Sequence, residues 1–309
     1  MLGRLFCYRS PLSGFRLPAF CVHGNVGSDD HEGNAGSASR GLVVFIPGLT
    51  DAMGSVEYTA KLQLMCASLG LSFLQPQLSS SNAGYGTASL NDDVAEMDAV
   101  LDHPEVAAIK DRALFLVGHS TGCQDIVNYL RSGAHRSRVT AVVLQAPVSD
   151  REAMAMAALQ QSSDELSRLK SAADSAKRLV DAGKGNHLMP RDAPQAFGVP
   201  ITAERYYSLS GHMTNDDMFS SDLSDKELAS VLGHIACPAL FALSGADEYV
   251  PQAVLESYGA LGDRFASATA SECFARVAVI EGGNHALDNS KSASDAFVSL
   301  LESFFLGYL

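Results

Sequence analysis

Residues 114–125 read LFLVGHSTGCQD: four apolar residues, a serine framed by two glycines, then a stretch suited to a helix. The apolar run describes a strand buried on both faces. Cys123, Ile126, Val127 and Leu130 follow at helical spacing and give the next helix its buried stripe. Gly118 and Gly122 let strand and helix approach closely around a tight turn, with Ser120 at its apex. Such a turn either happens to contain a serine or lifts a nucleophile above a sheet. The surrounding pattern decides between the two.

Outward from this stretch, strands and helices alternate. LVVFI (42–46), LSFLQ (71–75), ALFLV (113–117) and VTAVVL (139–144) are short apolar runs. Between them, Leu62, Met65, Cys66 and Leu69 mark one helix, and Leu90, Val94, Met97 and Leu101 another. Ser89 is suited to cap the second, with Asp92 and Asp93 in its positive first turn. The rhythm stops after Pro147. Residues 150–233 hold helical segments, with a stripe at Leu166, Leu169, Ala173, Ala176 and Val180, and no comparable strand. It resumes with ALFAL (239–243), RVAVI (276–280) and a last helix carrying Ala293, Phe297, Leu300, Leu301 and Phe304 inward.

Two further strands, LFCY (5–8) and FRLPAFCV (15–22), precede a low-complexity loop, GSDDHEGNAGSAS (27–39), read as a mobile surface segment. The expectation is a doubly wound, mainly parallel eight-stranded α/β sheet. Residues 1–149 and 234–309 form its core, and 150–233 form a helical cap over the strands' carboxyl ends, where such sheets bind ligands.

Composition narrows the function. The 309 residues carry a net charge of −13, which argues against a basic face for nucleic acid or anionic lipid. No apolar run reaches the roughly 18 residues of a membrane span. Cys7, Cys21, Cys66, Cys123, Cys237 and Cys273 show no CxxC spacing, and several lie in apolar segments, as buried reduced thiols do. The expected compartment is cytoplasmic. A mitochondrial alternative rests on Arg4, Arg9 and Arg16 preceding the first acidic residue, Asp29. DAGKGN (181–186) lacks P-loop spacing and reads as a turn, HExxH is absent, and the adjacent Asp216 and Asp217 read as a solvated loop face. No metal or organic cofactor is expected.

In this setting Gly118-His119-Ser120-Thr121-Gly122 fits the GxSxG nucleophile elbow, strand before and helix after. A serine hydroxyl needs a base, and the base an orienting acid. Nucleophiles of this kind draw them, in the order Ser, Asp or Glu, His, from loops after later strands. ALFAL runs into Asp247 and the last strand into His285. Asp150 competes for the acid because it too follows a strand; Glu248 ranks below Asp247. His119 is expected to pack beside the nucleophile. Oxyanion donors are expected from the N–H groups of Thr121 and Leu49, with Thr50 as runner-up, since Pro47 has none. In the cap, Tyr206, Tyr207 and His212 are candidate pocket-wall residues; the competing reading makes the tyrosines and Phe219 anchors.

The chain resembles the α/β-hydrolases, and more narrowly a family of fungal, plant and protist hydrolases long catalogued as a domain of unknown function. The narrower likeness rests on FIPGLTDAMGSVEY, LSSSNAGYGTASLNDD, GHSTGCQD, LQAPVSDREA, NDDMFSSDLSD and SGADEYVP, between about residues 41 and 290. Pro47 departs from the glycine more usual in that family. The resemblance implies a serine esterase with Ser120, Asp247 and His285 as triad, in a family whose fungal members are implicated in hydrolysing siderophore esters. A small-molecule ester is the expected partner. The rival readings are an acyltransferase or thioesterase with the same triad, and a non-catalytic binding protein on the same scaffold.

Overall fold

The structure, a computed structural model, describes residues 3–24, 39–107, 109, 112–196 and 198–309. The expected loop 27–39 therefore lies, but for Ser39, outside the described residues.

Eight strands form one sheet: β1 (Arg4–Arg9), β2 (Arg16–Val22), β3 (Gly41–Ile46), β4 (Leu71–Pro76), β5 (Ala113–His119), β6 (Val139–Gln145), β7 (Ala239–Ser244) and β8 (Ala275–Ile280), in the order β1-β2-β4-β3-β5-β6-β7-β8. The pairings among β3 to β8 are parallel. The arginine-rich start of the chain is an antiparallel hairpin, with β2 also antiparallel to β4.

Side chains alternate across a strand, and β3 shows how the two core layers arise. Leu42, Val44 and Ile46 enter one layer; Val43 and Phe45 enter the other. The second layer is covered by α1 (Thr59–Ser68) and, at the end of the chain, α11 (Lys291–Leu306), which buries Phe297, Leu301, Phe304 and Phe305. Over the first layer lie α2 (Leu90–Leu101), the single turn α3 (Pro104–Ala107) and α4 (Thr121–Ser132). The Ser89 hydroxyl accepts the Asp92 N–H while the Asp92 carboxylate accepts the Ser89 N–H, so α2 starts in a reciprocal capping box. Its neighbour Asp93, also in the first turn, is 2% exposed.

The segment expected as a cap holds α5 (Asp150–Gln161), α6 (Ser163–Asp181) and α7 (Ala203–Ser210). They share a core of Met154, Leu169, Ala176, Ile201, Tyr206 and Leu209. Tyr85, from the loop after β4, joins this core and donates its hydroxyl to Ala196 O at 3.2 Å. From Met218 onward the chain packs into the sheet's own core, through Phe219, Leu223 and α8 (Asp225–Leu232). The last part of 150–233 thus belongs with the sheet. Two more helices, α9 (Gln252–Leu255) and α10 (Tyr258–Ser267), lie between β7 and β8. All six cysteines are free thiols: Cys21, Cys66 and Cys123 are buried, Cys237 and Cys273 half-buried, and Cys7 exposed. Among the described residues no helix is long and apolar enough to cross a membrane.

Candidate active site

Ser120 is the single residue between the end of β5 and the start of α4, and its backbone is bent to φ 54° and ψ −124°. A non-glycine residue there carries strain of about 1–3 kcal/mol, so the surroundings must hold it. The Ser120 N–H donates to Gln145 O at 3.0 Å, and Ser120 O accepts the Cys123 N–H at 2.8 Å. The flanking glycines are required by contact. A Cβ on Gly122 would sit 2.2 Å from Ile46 O, and one on Gly118 would sit 2.4 Å from Gly122 O.

The loops after β7 and β8 are tied together by two backbone bonds, Gly245 N–H to Ile280 O at 2.9 Å and Ala246 N–H to Gly283 O at 2.8 Å. That pairing brings Asp247 Oδ2 to 2.8 Å from His285 Nδ1, while Oδ1 accepts the Tyr249 N–H at 3.0 Å. Asp247 is 1% exposed. Glu248 turns its carboxylate to the His285 backbone N–H at 2.9 Å and so fixes the loop rather than the imidazole. With Nδ1–H donating to Asp247, Nε2 is left as the accepting nitrogen. The His285 ring lies between His119 and Tyr249, at centroid distances of 4.9 and 4.7 Å. Asp150 makes no hydrogen bond with His285; its carboxylate accepts from Gln124 Nε2 at 3.2 Å. Burial first, and then the charge of Asp216, push Asp150 up to about 7.

The loop leaving β3 lies against Ser120. A Cβ on Gly48 would stand 2.7 Å from Ser120 Cβ and 3.2 Å from its Oγ. The Gly48 N–H is already given to Asp51 Oδ2 at 3.1 Å, and Gly48 O accepts the Asp51 N–H at 3.1 Å. Among the described residues no backbone acceptor engages the Leu49 N–H. Thr50 is exposed with φ 67°. Thr121 opens α4, where an N–H has no carbonyl within the helix to bind.

Gln145, at the end of β6, was missed by the sequence reading and holds these parts together. Its Oε1 accepts from Tyr58 Oη at 2.9 Å and meets His119 Nδ1 at 2.5 Å. Its Nε2 donates to Ser244 Oγ at 3.1 Å and His285 O at 3.0 Å. Since Oε1 only accepts, Nδ1 of His119 carries the proton. Burial, then the neighbouring His285, push His119 down to about 3, so it stays neutral. The one available signal was a polar residue closing an apolar strand between the strands of Ser120 and Asp247.

Tyr206 is fully buried in the core shared by α5, α6 and α7 and donates its hydroxyl to Pro194 O at 2.8 Å. Tyr207 lies under Lys177 Nζ, 6.0 Å from the ring centroid. The His212 side chain is 50% exposed, 3.7 Å from Glu227. None of the three lines the cavity behind the β3 loop; Arg205, one step earlier on α7, does. Successive residues on a helix point about 100° apart, so one position decides which side chain faces that cavity. Asp216 and Asp217 are likewise not a solvated face. Asp216 accepts Arg205 Nη1 through both oxygens, at 2.7 and 2.6 Å, and Asp217 accepts Arg151 Nε at 3.2 Å.

Known proteins place this architecture. A UPF0613 protein of Schizosaccharomyces pombe is 36% identical over 205 residues, covering 64% of this chain and 63% of the other, just under two thirds of its length. Fusarinine C esterase sidJ of Aspergillus fumigatus is 28% identical over 316 residues, covering 86% of this chain and 88% of the other. Siderophore hydrolase EstB from Aspergillus fumigatus superposes with a TM-score of 0.75 over 99% of this chain and 97% of the other, at 22% identity, which establishes the α/β-hydrolase fold. The family described as "Protein of unknown function (DUF1749)" matches residues 26–306, nearly the whole length, and the chain belongs to it.

Proposed function

We propose that the protein is a serine hydrolase of carboxylic esters, with Ser120 as nucleophile, His285 as base and Asp247 as orienting acid. The observation that carries the reading is the 2.8 Å Asp247–His285 contact, formed by strand-end loops of the same sheet that bends Ser120 into its strained turn. His285 Nε2 takes the Ser120 proton as Oγ attacks the ester carbonyl, and Asp247 stabilises the imidazolium. The Leu49 and Thr121 N–H groups bind the oxyanion. His285 then protonates the leaving alcohol and activates the water that releases the acid. The relative named fusarinine C esterase supports an ester substrate and favours siderophore-type esters as the finer assignment.

Turnover of p-nitrophenyl butyrate tests the reading. The wild type is expected to release p-nitrophenol with an initial burst no larger than the enzyme concentration. Ser120→Ala is expected to lose more than about 10³ in kcat with its melting temperature nearly unchanged. A variant retaining more than about a thousandth of kcat removes Ser120 as nucleophile.

A further inference from the structure

Gly48, Leu49, Thr50 and Asp51, in the loop leaving β3, form a β-turn closed by the Asp51 N–H, which donates to Gly48 O at 3.1 Å. Thr50, third of the four, has φ 67°, while Leu49 before it keeps a negative φ. That is the pattern of a type II turn, whose third position favours glycine because φ there must be positive. A β-branched residue in this conformation carries strain of roughly 1–3 kcal/mol. Thr50 is exposed, so packing of its own side chain does not hold it there.

Asp51 supplies the restraint. Its Oδ2 accepts the Gly48 N–H at 3.1 Å, so the first and last residues of the turn bond each other in both directions. Its carbonyl accepts the Asn82 N–H at 3.1 Å and ties the turn to the loop after β4. With the Gly48 N–H taken up by the carboxylate and the Leu49 N–H bound to no backbone acceptor among the described residues, the turn offers an incoming oxyanion Leu49 rather than Gly48. The turn also stands against Ser120. The point a Gly48 Cβ would occupy is 3.2 Å from both Asp51 Oδ2 and Ser120 Oγ. Misplacement by about 1 Å in such a spot can cost about 10² in rate. Charge gives a rival explanation for any effect of Asp51, because its carboxylate and a protonated His285 attract each other.

We propose that Asp51 is a positioning residue for the oxyanion hole, its carboxylate clamping the strained turn so that the Leu49 N–H stays aimed at the tetrahedral oxygen. The assignment rests on the ester-hydrolase reading and adds a residue to it. An amide oxygen accepts an N–H as a carboxylate oxygen does, and a methyl group accepts nothing, which separates a clamp from a charge.

The test compares wild type, Asp51→Ala and Asp51→Asn on p-nitrophenyl butyrate, with kcat expressed per active site titrated by a fluorophosphonate. Each is also inhibited with 1-propylboronic acid. Ser120 Oγ adds to the boron, its proton passes to His285, nothing leaves, and a boron-bound oxygen takes the oxyanion's place. Asp51→Ala is expected to lose at least about tenfold in kcat, part of the roughly 10²–10³ that losing an oxyanion donor costs, with KM within about threefold. Its inhibition constant for the boronic acid is expected to rise by at least about tenfold. Asp51→Asn is expected to stay within about threefold of wild type in both. Asp51→Leu, similar in shape and without an acceptor, gives the same readout where the alanine variant folds poorly. If Asp51→Ala keeps kcat within about threefold of wild type, or raises KM alone, the clamp is overturned. If Asp51→Asn is as impaired as Asp51→Ala, the effect belongs to charge and the clamp is again overturned. Either result leaves the hydrolase reading standing; a wild type that does not turn over the ester overturns both.

Discussion

Asp247 and Asp150 are both carboxyl groups that follow strands, and what separates them is a partner. Asp247 meets His285 Nδ1, whereas Asp150 meets the Gln124 amide. Asp247→Asn is therefore expected to lower kcat by about 10⁴, because an amide favours the wrong imidazole tautomer and cannot stabilise imidazolium. Asp150→Asn should stay within about tenfold of wild type. Steady-state kinetics on p-nitrophenyl butyrate rank the two, and the reverse ranking would transfer the acid role to Asp150. At this scale the contact between Asp247 and His285 was legible, because both residues stand at strand ends in an order the elbow dictates. Gln145 and Arg205 were not legible. Gln145 acts through side-chain bonds to four different segments, which no local pattern records. Arg205 pairs with Asp216 across eleven positions and a loop, so Asp216 looked solvated when its cation was out of sight in the sequence.

At the scale of elements, the approach of α4 to β3 fixes where Ser120 stands. Gly122→Ala would place a Cβ 2.2 Å from Ile46 O, a backbone atom that cannot swing away. The expected result is a loss of about 2 kcal/mol or more in urea unfolding together with reduced turnover. An unchanged midpoint would contradict the close packing of helix and strand. The strands and most helices were legible from period two and period 3.6 apolar spacing. The N-terminal arginines read ambiguously because charge bias is shared by presequences and by exposed hairpins; here they belong to β1 and β2. Amphipathic spacing also shows that a helix buries a face without showing against what. That is why α8 looked like cap and packs instead with the sheet core.

For the whole molecule, a fold with a net charge of −13 that also buries carboxyl groups makes its stability depend on pH. Asp150 is raised from 3.8 to about 7 by burial, so between those values the folded chain holds a proton that the unfolded chain releases. Its contribution falls as pH rises through this window, and above about 7 the full penalty of a buried charge remains. Asp150→Asn cannot ionise, so its melting temperature relative to wild type should rise from pH 4 to pH 8; a constant difference would refute the buried-charge explanation. The same sheet carries Ser120, Asp247 and His285 at the ends of β5, β7 and β8, and the central proposal is that Ser120 among them is the reactive group. Mass spectrometry of the folded protein after exposure to a fluorophosphonate tests this most directly. The predicted result is one phosphonyl adduct, on the peptide containing Ser120, absent in Ser120→Ala; an adduct on another residue, or none on the wild type, would contradict it.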